Sequence, residues 1–403
     1  TSYSYGPGSR PTGTTLPNGK SIEINYDTLG RLDFTSHQLS EESDDNEWLV
    51  RYYYNTGSSG SQSGQVNLIQ GLNAAENKIY QTYEYDANGN ITHWYDGTTF
   101  KHTYYHYDGL NQLVREDNQA SLYTMVYNYD NGGNLVSKTR YNYTTAETPS
   151  GTSQTFTYSY NDPVWGDKLT SYNGSTITYD NSGNPLGYRN GISFTWEQGR
   201  QMKSMNKGGI LWEYSYDANG YRTKKKQGNS TWEYMLDGSR VICMKTPTKT
   251  VWFDYDANGQ RVAMTVSGTT YYYIYNAMGD VVGLYDASGN VVAKYVYNAW
   301  GQIVSVSKGN GTRISQSSNP DEPGIINPFR YRGYMYDEES GFYYLNSRYY
   351  DPETGRFINA DNFLVGDSVL GMNLYAYCVN NPVNLADPSG QFVLSFAAIC
   401  TLA

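Results

Sequence analysis

One phrase returns along this chain of 403 residues and limits what it can fold into. Tyr-Asp-Ala-Asn-Gly starts at Tyr85, Tyr216 and Tyr255. Close variants are INYDTLGRL from Ile24, YNYDNGGNL from Tyr127, ITYDNSGNP from Ile177 and LYDASGNVV from Leu284. Degenerate copies are HYDGLNQL from His106, IYNAMGDVV from Ile274 and VYNAWGQIV from Val296, which makes ten in all. Tyr85, Tyr107 and Tyr129 lie 22 residues apart, as do Tyr275 and Tyr297. A fixed spacing of this size marks an array of like supersecondary units rather than a set of independent domains.

The physics inside one unit is legible. Residues ahead of the Tyr alternate, as in WEYSYD from Trp212, so one face of a strand carries aromatics at period 2. The following Asp suits an Asx turn, and Asn-Gly or Ser-Gly supplies the positive φ of a hairpin connection. A second strand then leaves, as in GNVVAKYVY from Gly289. Each period holds two strands of about seven to nine residues plus two turns, and successive hairpins pair edge to edge with their Tyr rings in register.

Composition agrees with an all-β reading. There are 44 Tyr and 41 Gly against 13 Pro, a mixture of sheet formers and turn formers. That much aromatic area offsets chain entropy and argues against disorder. The net charge of −10 disfavours nucleic-acid binding, since phosphate contacts need a basic face. No stretch reaches the roughly 18 apolar residues that a membrane-crossing helix needs. Cys243, Cys378 and Cys400 show no disulfide framework or zinc spacing, and His102 and His106 in HTYYH read as strand residues rather than metal ligands. No cofactor is expected. The acidic run Glu41, Glu42, Asp44, Asp45 and Glu47 and the basic run Lys224, Lys225 and Lys226 read as solvated loops or edge strands. The first residues, TSYSYGPGSR, carry neither Met nor a leader pattern, so the chain is expected to be a piece of something longer.

Two stretches interrupt the array: the Gly/Ser-rich run from Asn55 to Gln65, and KGNGTRISQSSNPDEPG from Lys308. The expected division is a repeat array over 1–307, a linker or loop over 308–326, a distinct segment over 327–391, and the start of a variable segment over 392–403.

The repeats resemble the YD repeats of the Rhs family, shared with the C component of bacterial Tc toxins and with teneurins. FRYRGYMYD from Phe329, YYLNSRYYDPETGRFINAD from Tyr343, NLYAYCVNNPVN from Asn373 and DPSG from Asp387 resemble, in order, the Rhs repeat-associated core. That resemblance implies a long antiparallel sheet of hairpins spiralling into a hollow shell, whole or partial, closed by the core. It also implies a secreted or cell-surface bacterial protein whose partner is its own C-terminal cargo, usually a toxin.

The chemistry implied is self-cleavage of the aspartyl-protease kind. By resemblance, Asp361 in FINADN and Asp387 in LADPSG form the dyad, Arg348 in NSRYYDP assists, and the scissile bond is Gln391–Phe392. Two carboxylates held close cannot both ionise, so one serves as base toward water while the other, protonated, polarises the scissile carbonyl. Arg348 would stabilise the ionised carboxylate or the oxyanion. Three features depart from the family pattern: Asn362 follows Asp361 where Pro is usual, the loop around Asp367 is longer, and Gln391 stands where Leu is typical. An apolar pocket for that side chain would hold Gln less well, which predicts slow or absent cleavage. Asp351, Asp361 and Asp387 also sit beside turn formers, and Arg330, Arg332, Arg348 and Arg356 suit purely structural ion pairs. The alternative is therefore a non-catalytic surface scaffold for adhesion, its exposed Tyr and Trp stacking on carbohydrate rings.

Overall fold

The computed structural model describes residues 1–39, 47–56, 62–73, 78–362 and 370–395. Two antiparallel sheets account for the repeat array. The first has 15 strands, from Ser2–Tyr5 to Ser175–Thr176, and the second 14, from Thr178–Tyr179 to Ile303–Lys308. In both, spatial order is sequence order, so the chain is one meander interrupted at Ile177.

Each copy of the motif builds the same turn. Asp86 Oδ1 accepts the amides of Asn88 and Asn90 at 2.9 and 2.8 Å, and Gly89 takes φ +87°. In HYDGLNQL the left-handed position falls on Asn111 at φ +61°. The degenerate copies keep the geometry because an Asn side-chain carbonyl does the work of the carboxylate: Asn276 Oδ1 accepts from Met278 and Asp280, and Asn298 Oδ1 from Trp300 and Gln302. A register shift falls just before the Tyr at Tyr26, Tyr85, Tyr129, Tyr216, Tyr255, Tyr275 and Tyr297. Bulges repeated at one phase of the period add bend and twist in one sense, which curls a long sheet.

The motif Tyr has a second duty. Its hydroxyl donates to the carbonyl just after the preceding turn: Tyr85 to Val66, Tyr107 to Ile91, Tyr129 to Leu113, Tyr255 to Val241, Tyr275 to Arg261 and Tyr297 to Val281, all at 2.6–2.9 Å. Each repeat is strapped to the one before it.

The first sheet packs on the late strands of the second. Trp48 stacks on Tyr285 at 4.4 Å, the Tyr285 hydroxyl meets His37 Nδ1 at 2.5 Å, and the Ala299 amide donates to Glu116 at 3.0 Å. Residues 325–362 and 370–392 lie against both sheets, carrying a four-stranded sheet from Met335–Asp337 to Arg356–Phe357. Their buried hydroxyls and carboxylates tie that segment down. Tyr343 and Tyr350 donate to the carbonyls of Gly301 and Trp300, Arg189 grips Asp351 through both oxygens at 2.7 Å, and Arg222 grips Asp337 at 2.6 and 2.9 Å.

Several sequence readings change here. Lys224, Lys225 and Lys226 occupy an interior strand, Arg222–Gln227, rather than an edge or loop. Lys225 is buried and pairs with Glu339 at 2.8 Å, while Lys224 is half-buried beside Glu233 and Lys226 exposed beside Glu213. Alternation along the strand splits the run between two faces, which charge counting cannot foresee. Strands Glu47–Thr56 and Gln62–Asn73 enter the Gly/Ser-rich stretch from both sides. Glu41, Glu42, Asp44 and Asp45, the loop around Asp367, and Cys400 lie outside the described residues. His102 and His106 are on the strand Lys101–Tyr107. Among the described residues no helix is long and apolar enough to cross a membrane.

Candidate functional site

Three segments of the C-terminal region meet at one guanidinium. Arg348 precedes the strand Tyr349–Asp351, Asp361 follows the short strand Arg356–Phe357, and Asp387 follows Leu385–Ala386. Arg348 Nη2 donates to Asp361 Oδ2 at 2.7 Å and to Asp387 Oδ2 at 3.2 Å. The three side chains picked out in the sequence thus converge, although 39 residues separate the outer two.

The segment that carries the Gln391–Phe392 peptide is wrapped around the same group. Arg348 Nε donates to the Gly390 carbonyl, and Nη1 to that of Leu374 at 3.2 Å. Asp387 Oδ1 accepts two backbone amides, Gln391 at 2.9 Å and Phe392 at 3.1 Å. The second is the nitrogen of the Gln391–Phe392 peptide. Asp387 therefore faces the nitrogen of that peptide; the sequence reading left open which of the two carboxyls would face its carbonyl.

Burial sets the electrostatics. Asp387, Arg348 and Asp361 are 0%, 4% and 7% exposed, while Phe392 is 56% exposed. The acid groups are thus dry, while the chain reaches the surface at Phe392 and then pairs as Leu394–Ser395 with Leu385–Ala386. Burial pushes the Asp387 carboxyl above its ordinary range; Arg348 and the two amide donors pull it back, and Asp361 adds to the push. Burial also draws Arg348 down to about 10, opposed by its two carboxylates. The guanidinium lies 3.5 Å from the centroid of the Phe357 ring, which closes its other face to water.

Sequence reasoning missed the supporting residues. The Ser347 hydroxyl meets the carbonyls of Ser389 and Gly390 at 2.8 and 2.9 Å, and the Asp387 amide donates to the Tyr334 hydroxyl at 2.8 Å. Arg200, from the repeat array, donates to the carbonyls of Ala360 and Asp361. Ser347 was within reach of inference, being next to Arg348; nothing in the sequence marks Arg200. Asp351 stays out of the site and serves as an Asx residue and ion-pair partner of Arg189. Arg330 pairs with Glu338, and Arg356 donates to the Asp167 carbonyl, both structural roles.

An all-β meander of Tyr-Asp hairpins laid over a C-terminal core defines the class of YD-repeat shells. The teneurin YD-shell profile matches residues 69–383, and the chain belongs to that family. The tRNA3(Ser)-specific nuclease WapA of Bacillus spizizenii is 35% identical over 296 residues, which is 71% of this chain and 12% of the relative. Toxin protein Tse5 of Pseudomonas aeruginosa is 43% identical over 72 residues, 18% of this chain and 5% of Tse5. Among solved structures, the TcdB2–TccC3–TEV crystal structure superposes with a TM-score of 0.69 at 19% identity, covering 96% of this chain and 20% of that one. The chain therefore spans a small part of the proteins it matches.

Proposed function

We propose that this chain is part of a bacterial Rhs-type shell, secreted or at the cell surface, that encapsulates a variable C-terminal domain of toxin class and releases it by one aspartyl self-cleavage after Gln391. The toxin and nuclease relatives, and a TcdB2–TccC3 complex without its hypervariable C-terminal region, support the cargo part of this reading. The observation that carries the cleavage part is the Asp387 carboxylate resting on the amide nitrogen of Phe392, bridged through Arg348 to Asp361.

The division of labour follows from the environments. Asp361, in contact with Arg348, is the base that takes a proton from water as its oxygen attacks the Gln391 carbonyl carbon. Asp387 accepts the Phe392 N–H in the resting chain; once attack on the carbonyl has made that nitrogen pyramidal, the carboxyl, which burial favours in its protonated form, delivers a proton to its exposed lone pair as the C–N bond breaks. The products are a new carboxylate at Gln391 and a new amine at Phe392. Arg348 holds the Gly390 carbonyl and so fixes the chain one residue before the bond. Because the substrate is the enzyme's own chain, positioning replaces binding, and the reaction runs once.

Intact mass after a day at neutral pH tests this directly. A product ending at Gln391 is expected from the wild-type chain, and uncut chains from folded Asp361→Asn and Asp387→Asn. A wild-type mass that never falls, or a variant that still cuts there, sinks the assignment.

A further inference from the structure

We propose that Arg200, a residue of the shell wall, is a positioning residue for the self-cleavage, so that the cut depends on the wall being in place against the loop that carries Asp361. The inference rests on the aspartyl reading above and adds to it a dependence of the core on the repeat array.

Arg200 ends the turn between the strands Ser193–Glu197 and Gln201–Lys207. Its Nη1 donates to the Ala360 carbonyl and its Nη2 to the Asp361 carbonyl, the latter at 2.9 Å. The Asp361 amide donates to the Leu374 carbonyl at 2.9 Å. The peptide planes on both sides of the Asp361 Cα are thus held by Arg200, and the first of them by Leu374 as well. With the backbone fixed, the carboxylate has one short path to Arg348 Nη2, at 2.7 Å.

The turn that presents Arg200 is itself braced by a YD repeat. Asn184, in the turn headed by Asp180, donates from Nδ2 to the Gly199 carbonyl at 2.7 Å and to Asp180 Oδ2 at 2.8 Å. Gly183 of the same turn accepts the Tyr375 hydroxyl on its carbonyl at 2.9 Å. A Cβ at Gly183 would come within 3.2 Å of the Ala360 Cβ and 2.6 Å of the Tyr375 oxygen, so the turn is seated directly on the Asp361 loop. One motif copy therefore touches the loop by its own backbone and steers Arg200 onto it. A guanidinium fork suits two neighbouring carbonyls in a way that an ammonium does not.

A residue that merely glued wall to core would lower stability when removed and leave the chemistry of folded molecules alone. The first-order appearance of the product ending at Gln391, followed by mass in the full chain where a thermal melt shows it folded, separates the two roles. Arg200→Gln is expected to slow cleavage by folded molecules about tenfold or more, the scale of two lost charge-assisted hydrogen bonds. Arg200→Lys should recover part of the rate. Folded Arg200→Gln cutting at the wild-type rate, or an Arg200→Lys that folds as well as the wild type yet cuts no faster than Arg200→Gln, overturns the proposal. Should Arg200→Gln not fold, Arg200→Lys decides: slower cutting by folded molecules is expected, and the wild-type rate overturns it. An uncut wild-type chain would instead defeat the aspartyl reading itself, a separate outcome.

Discussion

At Gly390 the backbone turns left-handed, at φ +73°, one residue before the scissile bond. A Cβ there would sit 2.6 Å from the Leu345 carbonyl oxygen and 2.7 Å from Ser347 Oγ, and the second of these is a group that holds the segment in place. Gly390→Ala is therefore expected to displace the Gln391–Phe392 peptide from Asp387 and slow cleavage by about tenfold or more, since misplacement on the ångström scale is costly to a positioned reaction. The melting temperature should change little, because the strain is confined to one turn at the end of the core. Mass spectrometry for the rate and a thermal melt for the fold check both halves; an alanine variant that cuts at the wild-type rate would show that the turn is not part of the machinery. At this scale the sequence carried the identities of Arg348, Asp361 and Asp387, since each sits in a recognisable string. It did not carry which atom of the scissile peptide Asp387 would face, because that depends on the path of residues 387–392 around a guanidinium that lies far back in the chain.

The YD turn is an element whose stability resides in one carboxylate. Asp130 accepts the amides of Gly132 and Asn134 at 2.9 Å on Oδ1, and the Asn134 side chain at 3.0 Å on Oδ2. Asp217 makes the same two backbone bonds, but Tyr221 stands in the place of Asn134, so that side-chain bond is missing. Asp130→Ala is expected to cost roughly 2–3 kcal/mol and Asp217→Ala roughly 1–2, at about 1 kcal/mol per lost hydrogen bond. Melting midpoints of the two variants check the order, and equal losses would mean that the Asn side chain contributes nothing. This turn was legible because its chemistry is local: Asp, Asn and Gly act on amides within four residues. The tyrosine strap was not, because its acceptor lies one hairpin earlier, and only the folded register brings Tyr129 to Leu113. Lys224, Lys225 and Lys226 failed as a guide for the related reason that a strand's neighbours decide whether its inward face meets solvent or, as at Lys225, a carboxylate of the core.

Across the whole molecule, the two sheets meet along a seam that buries titratable groups, and stability there must follow pH. Glu116, fully buried, accepts the Asn118 side chain at 2.9 Å and, across the seam, the Ala299 amide at 3.0 Å. Burial raises its carboxyl from 4.5 to about 7 despite these donors. A raised acid holds its proton more tightly in the folded chain, so its contribution is fully present below about pH 4.5 and is lost as pH climbs through 7. The size is on the order of 3 kcal/mol. His37, buried against Tyr285 on the same seam, is drawn by desolvation from 6.5 to about 4. It works in the other direction: the folded chain takes up fewer protons, and stability is lost as pH falls from 6.5 toward 4. The two terms oppose each other between those limits and leave Glu116 dominant above them. Glu116→Gln keeps an acceptor for the Ala299 amide but cannot ionise. Its melting temperature minus that of the wild type is therefore expected to rise by a few degrees between pH 5 and pH 8. Parallel melting curves for the two proteins across that range would mean that the seam admits water at Glu116, and that the sheets hold together there by their aromatic contacts alone.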